Sequence, residues 1–442
     1  MPSSEKTPQD LAKTIYDAIS NSPDRPNQET LDAIFKAMFA SSLKTEEGQP
    51  IKFSISYLSP KEPVPATPPM EFERPIRNTW TRIPFATAIP FNTRNAVKLA
   101  KATDPRTSSF AVFHTKSGLP IIWGLIDQNN PHYQFMNYDA PGGAPRPGIF
   151  QAEIRGLGHI FSSKDYDVIA ELRINSITRS QPDVINVGPI SVALQTALNG
   201  LANELKPLLP AAKIEPASTW TDLVRTNAKE TLCRILSRIR DHRHGGALII
   251  TPDKKLTSLD PKFRIKYPRL RTSLLSAATS EATLAESSFE IRDEYLEKDV
   301  GHIPEPLYLD ESISKFELAD SKSEIDGVVW FLSLLSRVDG AVVLTTDLTV
   351  QGFGTEITCH QNPPKLFRTS DALARPDRLS AFRLEDYGTR HRSMMRYCYS
   401  TPGSIGFVIS QDGDVRAIMR TQGKLVMWEN IKLQRTRKAR TK

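Results

Sequence analysis

The sequence predicts an α/β protein whose N-terminal half is α+β. Three observations predict it. Segments with apolar residues at helical spacing alternate along the chain with short apolar runs of strand length. A strongly amphipathic helix over 221–242 stops at Gly245-Gly246 and runs at once into an apolar strand over 247–251. A second apolar helix over 325–338 passes through Asp339-Gly340-Ala341 into another strand, 342–345. Continuous apolar strands fed by helices are the pattern of a sheet covered by helices.

The elements follow in chain order. An amphipathic stretch, 11–19, precedes a helix over 29–40 that places Leu31, Ile34, Phe35, Met38 and Phe39 at helical spacing. Residues 51–57 alternate, with Ile51, Phe53, Ile55 and Tyr57 on one side, and read as a half-buried strand. The proline-rich stretch 59–75 reads as loop, and a helix opens after Asn92-Thr93. Segments 110–114 and 121–127 flank Lys116-Ser117-Gly118 as a hairpin. Residues 129–147 read as a Pro/Gly-rich loop, 148–155 and 167–175 as strands, and 192–205 as a helix. Three prolines between 207 and 219 suggest a hinge. In the 221–242 helix, Leu223, Val224, Ala228, Leu232, Ile235, Leu236 and Ile239 form the apolar stripe. Residues 252–323 read as polar and irregular with helical patches; the chain then closes with a loop over 387–392, a helix over 393–399, a turn at Thr401-Pro402-Gly403 and a strand over 405–410. The division expected is an N-terminal α+β domain over 1–205, a linker over 206–220, a second domain over 221–430 and a basic tail over 431–442.

Composition bounds the class. Of 442 residues, 39% are hydrophobic and 24% charged, which suits an ordinary folded protein and excludes wholesale disorder or a fibrous repeat. The longest apolar-rich stretch, 328–335, is far short of the ~20 residues that span a bilayer, so no membrane partner is expected. Cys233, Cys359 and Cys398 are widely spaced and odd in number, which fits buried thiols in a reducing compartment. With no signal-type N-terminus, the expectation is a cytoplasmic protein. The net charge of +7 is concentrated at the end: Lys432, Arg435, Arg437, Lys438, Arg440 and Lys442 carry six of those charges. Such a block reads as a solvated tail, with weak nucleic-acid contact as the sharper alternative.

Two strings carry chemistry. In Asp339-Gly340-Ala341, a carboxylate able to hold Mg²⁺ or accept a hydroxyl proton stands beside residues small enough for close approach of a ligand. In Gly388-Thr389-Arg390-His391-Arg392, two guanidinium groups and a hydroxyl stand just before a helix, a suitable setting for phosphate oxygens. There is no P-loop and no G-x-G-x-x-G. His242 and His244 read as groups at a helix C-terminus. The other histidines outside the 388–392 string, and the tryptophans, read as structural.

From about 220 to 428 the chain resembles the diadenylate cyclase domain family, in which DGA enters a strand, GTRHR opens a helix, and a later strand ends in Ser-Glu-Glu. Residues 339–341, 388–392 and the strand ending at Ser410 stand in that order, and 245–250 is similar to the family's first core strand. The chain is most similar to the divergent members with an added N-terminal region, proposed as nucleotide sensors. The resemblance implies a mixed β-sheet flanked by helices that binds one ATP. It also implies a homo-oligomer in which two such domains meet and condense two ATP to cyclic di-AMP and two pyrophosphates. By position, Asp339 would hold Mg²⁺ or Mn²⁺ and help activate the 3′-hydroxyl. Gly340, Ala341 and Ser410 would line the nucleotide, and Gly388, Thr389, Arg390, His391 and Arg392 would hold its phosphates. Asp339, Arg390, His391 and Arg392 make up the implied catalytic set. The family's first Glu after the serine is Gln411 here, a poorer metal ligand, with Asp412 as its displaced substitute. Two readings follow: a cyclase, or a non-catalytic sensor binding a nucleotide or cyclic dinucleotide in the same pocket.

Overall fold

The computed structural model describes residues 5–19, 25–60, 80–128, 131–140, 148–164, 167–211, 215–298 and 301–438. It divides into two compact units, one of 1–181 with 434–442 and one of 182–433. The fold is α/β, and in each unit helices pack on a mixed sheet.

The first unit opens with α1 (Pro8–Ala18), whose N-cap Thr7 exchanges hydrogen bonds with Asp10, and α2 (Gln28–Ser42), capped by Asn27. A small hairpin, β1 (Thr45–Glu46) and β2 (Gln49–Pro50), leads to β3 (Ser54–Tyr57), β4 (Thr81–Pro90), α3 (Thr93–Leu99), β5 (Ser108–His114) and β6 (Pro120–Asp127). Then come α4 (Pro131–Met136), β7 (Phe150–Gly156), β8 (His159–Lys164), β9 (Asp167–Arg173) and β10 (Ser176–Thr178). The sheet order is β10-β9-β8-β7-β3-β5-β6-β4, and β5–β6 is the expected hairpin. One face carries the main core, in which Leu11, Ile15, Leu31, Ile34, Phe35 and Met38 meet Phe53, Ile55, Phe110, Ile154 and Ile160. The 51–57 strand is not half-buried: β3 is central, and Ser54 and Ser56 on its second face are buried as well. Their hydroxyls are satisfied there, Ser56 by Ser109 at 2.7 Å and Ser54 by the Ser108 carbonyl at 3.1 Å. Strands β4 and β8 stand where no strand is expected. Of the two expected loops, 61–79, 129–130 and 141–147 lie outside the described residues, and α4 occupies part of the second.

The second unit begins with α5 (Pro189–Leu205) and α6 (Ala217–Asp241), then β11 (Gly246–Thr251), β12 (Leu259–Tyr267), α7 (Arg269–Glu290) and α8 (Glu305–Leu335). It continues through β13 (Ala341–Thr345), β14 (Val350–Ile357), β15 (Leu366–Thr369), β16 (Ser380–Ala381), α9 (Thr389–Ser400), β17 (Ile405–Ile409), β18 (Val415–Thr421) and β19 (Lys424–Trp428). The sheet order is β12-β14-β13-β11-β17-β18-β19-β15-β16, with β11–β13 and β15–β19 parallel and the other pairs antiparallel. The central strands β11, β13 and β17 are buried throughout, as their unbroken apolar runs require. Helix α9 covers one face, where Met394, Met395, Tyr397 and Cys398 pack on Ala247, Ile249, Val343, Val408 and Ile418. Helices α5 to α8 form a second packed layer, reached from the sheet through α6.

Four expectations are corrected. Helix α5 belongs with the second unit, so the division falls at 181/182 rather than within 206–220: Ile190, Leu194, Leu198, Leu201 and Leu205 are buried, and the helix packs on α6 and α7. Residues 252–323 are not irregular; they hold β12, α7 and most of α8. Residues 389–392 are not loop but the first turn of α9. The basic tail is not solvated over its described part. In the second unit Ile431 and Leu433 are buried, and Lys432 Nζ lies 3.0 Å from Asp183 Oδ2. In the first unit Arg435 donates to the Ala140 carbonyl at 2.8 Å, and a last strand, β20 (Arg437–Lys438), runs parallel to β9. Residues 439–442 lie outside the described residues. Trp80, Trp123, Trp220 and Trp428 are buried as expected, but Trp330 is 48% exposed.

Candidate functional site

Strand register assembles the two motifs. Leu248 pairs with Val342 across β11 and β13, and Gly246 pairs with Ile409 across β11 and β17. Continued past the strand ends, that register sets Asp339, Gly245 and Ser410 in one row at a single edge of the sheet. Ordinary strand spacing puts the two outer backbones of the row about 10 Å apart. Helix α9 starts at this edge. A β-carbon on Gly245 would fall 2.6 Å from Arg390 Nη1, 2.9 Å from the Ile409 carbonyl oxygen and 3.6 Å from Gln411 Cγ. Gly245, with φ at +68°, therefore leaves the space that the Arg390 guanidinium fills, a second role beyond ending a helix.

The motif residues differ in what they do. Asp339 is exposed at the edge. Gly340 (φ +115°) is required by packing: a β-carbon there would lie 2.6 Å from the Thr355 amide nitrogen on β14. The Ala341 side chain is buried in the α9-side core, so only its backbone could face a ligand. Gly388 is the N-cap of α9 and has no side chain to cap it; nothing lies within 4 Å of where its β-carbon would be. The first-turn amides of α9 are thus left for an external acceptor. Among the described residues no acid pairs with Arg390 or Arg392, and Thr389 is exposed.

His391 is held. Its Nε2 lies 2.8 Å from Arg416 Nη1. A guanidinium only donates, so Nε2 accepts and the ring proton sits on Nδ1. Burial pushes the His391 pKa down to about 4; the nearby Arg416 and Arg390 push the same way, and Asp412 opposes them. At neutral pH the ring is uncharged and can offer an N–H but no cation to a phosphate. Arg416 also reaches Ser410 Oγ at 3.4 Å and pairs with Asp414 at 2.6 Å. Its guanidinium lies 5.6 Å from the Tyr387 ring centroid, and Tyr387 donates to Glu429 at 3.3 Å. Sequence reasoning missed Arg416, Asp414, Tyr387 and Glu429. The available signal was a charged residue set among apolar ones in β18, immediately after the turn that follows Ser410.

Asp339 and Asp412 are both exposed, and among the described residues no group of three or more His, Cys, Asp and Glu side chains is placed to hold a metal ion. No helix of the described residues is long and apolar enough to cross a membrane. Cys233 and Cys398 are buried, and burial raises both thiols, Cys398 to about 12, so neither is a ready nucleophile.

Residues 20–127 match the family model described as "Probable sensor domain DACNV". The match covers α2 through β6 of the first unit, well under half of the chain, and is a similarity to a sensor domain. No curated protein matches the chain.

Proposed function

We propose that this protein is a nucleotide sensor of the diadenylate cyclase type, in which the second unit binds the phosphates of ATP or of a cyclic dinucleotide. The observation that carries the reading is the pair Arg390 and Arg392. Both sit on the first turn of a helix without a side-chain cap, with no acid among the described residues to neutralise them, at the edge that also bears Ser410 and Asp339. Leaving like charges uncompensated costs stability, and an anionic ligand removes that cost. The arginines and first-turn amides would hold phosphate oxygens, Thr389 and Ser410 would add hydroxyl contacts, and His391 would contribute its Nδ1–H. The similarity of residues 20–127 to a sensor domain supports a sensing role for the first unit.

Mg²⁺ or Mn²⁺ suits this donor set only together with the nucleotide. Such ions take one or two carboxylates plus phosphate oxygens and water, and Asp339 supplies one carboxylate. The ion would neutralise charge on the phosphates. Gln411, standing where the resembled family carries a Glu, favours binding over turnover. The exposed, uncommitted Asp339 favours the second reading, a cyclase in which two copies of the chain bring two ATP together.

The test is mass spectrometry of the purified protein after incubation with ATP and Mg²⁺ or Mn²⁺. Retained nucleotide without product supports the sensor. Cyclic di-AMP that disappears in Asp339→Asn establishes the cyclase. Neither nucleotide nor product refutes both.

A further inference from the structure

Helix α8 is apolar on two opposite faces. On one, Leu318, Ile325, Val328 and Leu332 are buried with Ser314 and Ser321, and the helix packs on α7 and α6. On the other, Leu309, Ile313, Phe316, Trp330, Phe331 and Leu334 are exposed, Phe316 by 77%. At 3.6 residues per turn these six fall in one stripe about 100° wide, running along most of a 31-residue helix. A surface helix ordinarily turns polar side chains to water, and one that is apolar all round is ordinarily covered all round. Two of the six are held in place: Trp330 lies under the Arg238 guanidinium at 4.5 Å, and the Phe331 ring lies 5.0 Å from that of Tyr267. Fixed aromatic side chains of this kind are the usual anchors of an interface.

The stripe is complementary to itself when run backwards. Leu309 and Leu334, Ile313 and Trp330, and Phe316 and Gly327 are pairwise equidistant from the point midway between 321 and 322. Two α8 helices set antiparallel about a two-fold axis at that point place Leu309 against Leu334, Ile313 against Trp330, and Phe316 against Gly327. Gly327 is exposed, and nothing lies within 4 Å of where its β-carbon would be, so it leaves a hole for the Phe316 ring of the second copy. A two-fold contact makes every such pair twice. With whole-residue areas of about 150–250 Å², the six exposures amount to about 600 Å² per copy, and a pair would bury about 1,200 Å², enough for a stable dimer. Between Leu309 and Leu334 the one charged side chain on the stripe is Asp320, which the register brings near Asp320 of the second copy. We infer that the exposed face of α8 is a self-association surface through which two copies of this chain pair antiparallel. In that pair the C-terminal ends of the two helices, each leading to its own Asp339, lie about 40 Å apart. The contact is therefore a different one from that which a cyclase needs to bring two ATP together, and it does not rest on the nucleotide reading.

The test is sedimentation velocity of the full-length chain without nucleotide, over a wide range of concentration. The wild type should populate a dimer. Gly327→Leu fills the hole with a better helix former at an open position, so it should raise the dimer dissociation constant at least tenfold while the monomer melts no lower than wild type. Phe316→Glu should weaken the dimer by a similar factor from the opposing side. Asp320→Asn removes the like-charge contact at the two-fold axis and should tighten the dimer several-fold, an effect that poor folding cannot imitate. A wild type that stays monomeric throughout, with another segment or another partner left to cover α8, overturns the proposal. So does a dimer that persists unchanged in both Gly327→Leu and Phe316→Glu. Either result leaves the nucleotide reading standing, since no nucleotide is present.

Discussion

At the residue scale, the candidate site rests on Arg390, Arg392 and the glycine that makes room for one of them. Arg390 has no acidic partner within the described protein, so its removal should cost little stability and much binding. Arg390→Ala is expected to weaken nucleotide binding at least tenfold, about 1.4 kcal/mol, with a melting temperature close to wild type. Gly245→Ala attacks the same group from the backbone side. It imposes a side chain at φ +68° and drives it into Arg390 and the Ile409 carbonyl, so it should lower both stability, by about 1–3 kcal/mol, and affinity. Calorimetric melting alongside titration separates the two effects. His391 and His132, the latter shifted by burial alone, both have folded-state values of about 4 against an ordinary 6.5. The stability they contribute is complete above pH 6.5 and is lost as pH falls toward 4, because the unfolded chain takes up protons first. Urea titrations between pH 7 and 4 should show that loss, and His391→Gln should remove the part that His391 contributes.

At the element scale, much was legible, and the failures have physical causes. The helices with apolar stripes and the buried central strands could be read because their periodicity is hydrophobic. The α7–α8 hairpin could not, because its interface is closed largely by hydroxyls and carboxylates: Ser276 with Ser321 at 2.8 Å, Ser273 with Glu324 at 2.9 Å and Ser288 with Glu311 at 2.9 Å. Buried serines at 314 and 321 look polar in sequence although they face inward. The start of α9 was hidden for a related reason. Its first turn is entirely polar and Gly388 is not a side-chain cap, so only the later Met394 and Met395 look helical. In the first sheet, Glu171 is buried between His159, Arg173 at 2.7 Å and Gln181 at 3.1 Å. Burial alone would raise its pKa, but His159, Arg173 and Arg155 together hold it well below the usual carboxylate range. Glu171→Ala strands these partners and should destabilise the first unit by about 3–5 kcal/mol, seen as a lowered melting transition.

At the scale of the whole molecule, the motif order made the sheet edge legible, because Asp339, Gly245 and Ser410 fall in one row once β11, β13 and β17 are paired. The return of the C-terminus to the first sheet was not legible. Six positive charges with no acid among them read as a free tail, yet Gln434 and Arg435 find partners far away in sequence, in Arg155, Asn137 and the Ala140 carbonyl. Local composition carries no information about such partners. Truncation after Leu433 removes β20 and the Gln434 and Arg435 contacts from the first unit. That truncation should lower the stability of the first unit, seen as an earlier melting transition by calorimetry.

The most direct test of the central claim is isothermal titration of the full-length protein with Mg·ATP and with cyclic di-AMP, run in parallel on wild type and on Arg390→Ala/Arg392→Ala. The account predicts saturable binding of at least one of these ligands by the wild type and its loss in a double variant that still melts at the wild-type temperature. Equal affinity in the two proteins, or no binding of either ligand by the wild type, would contradict it.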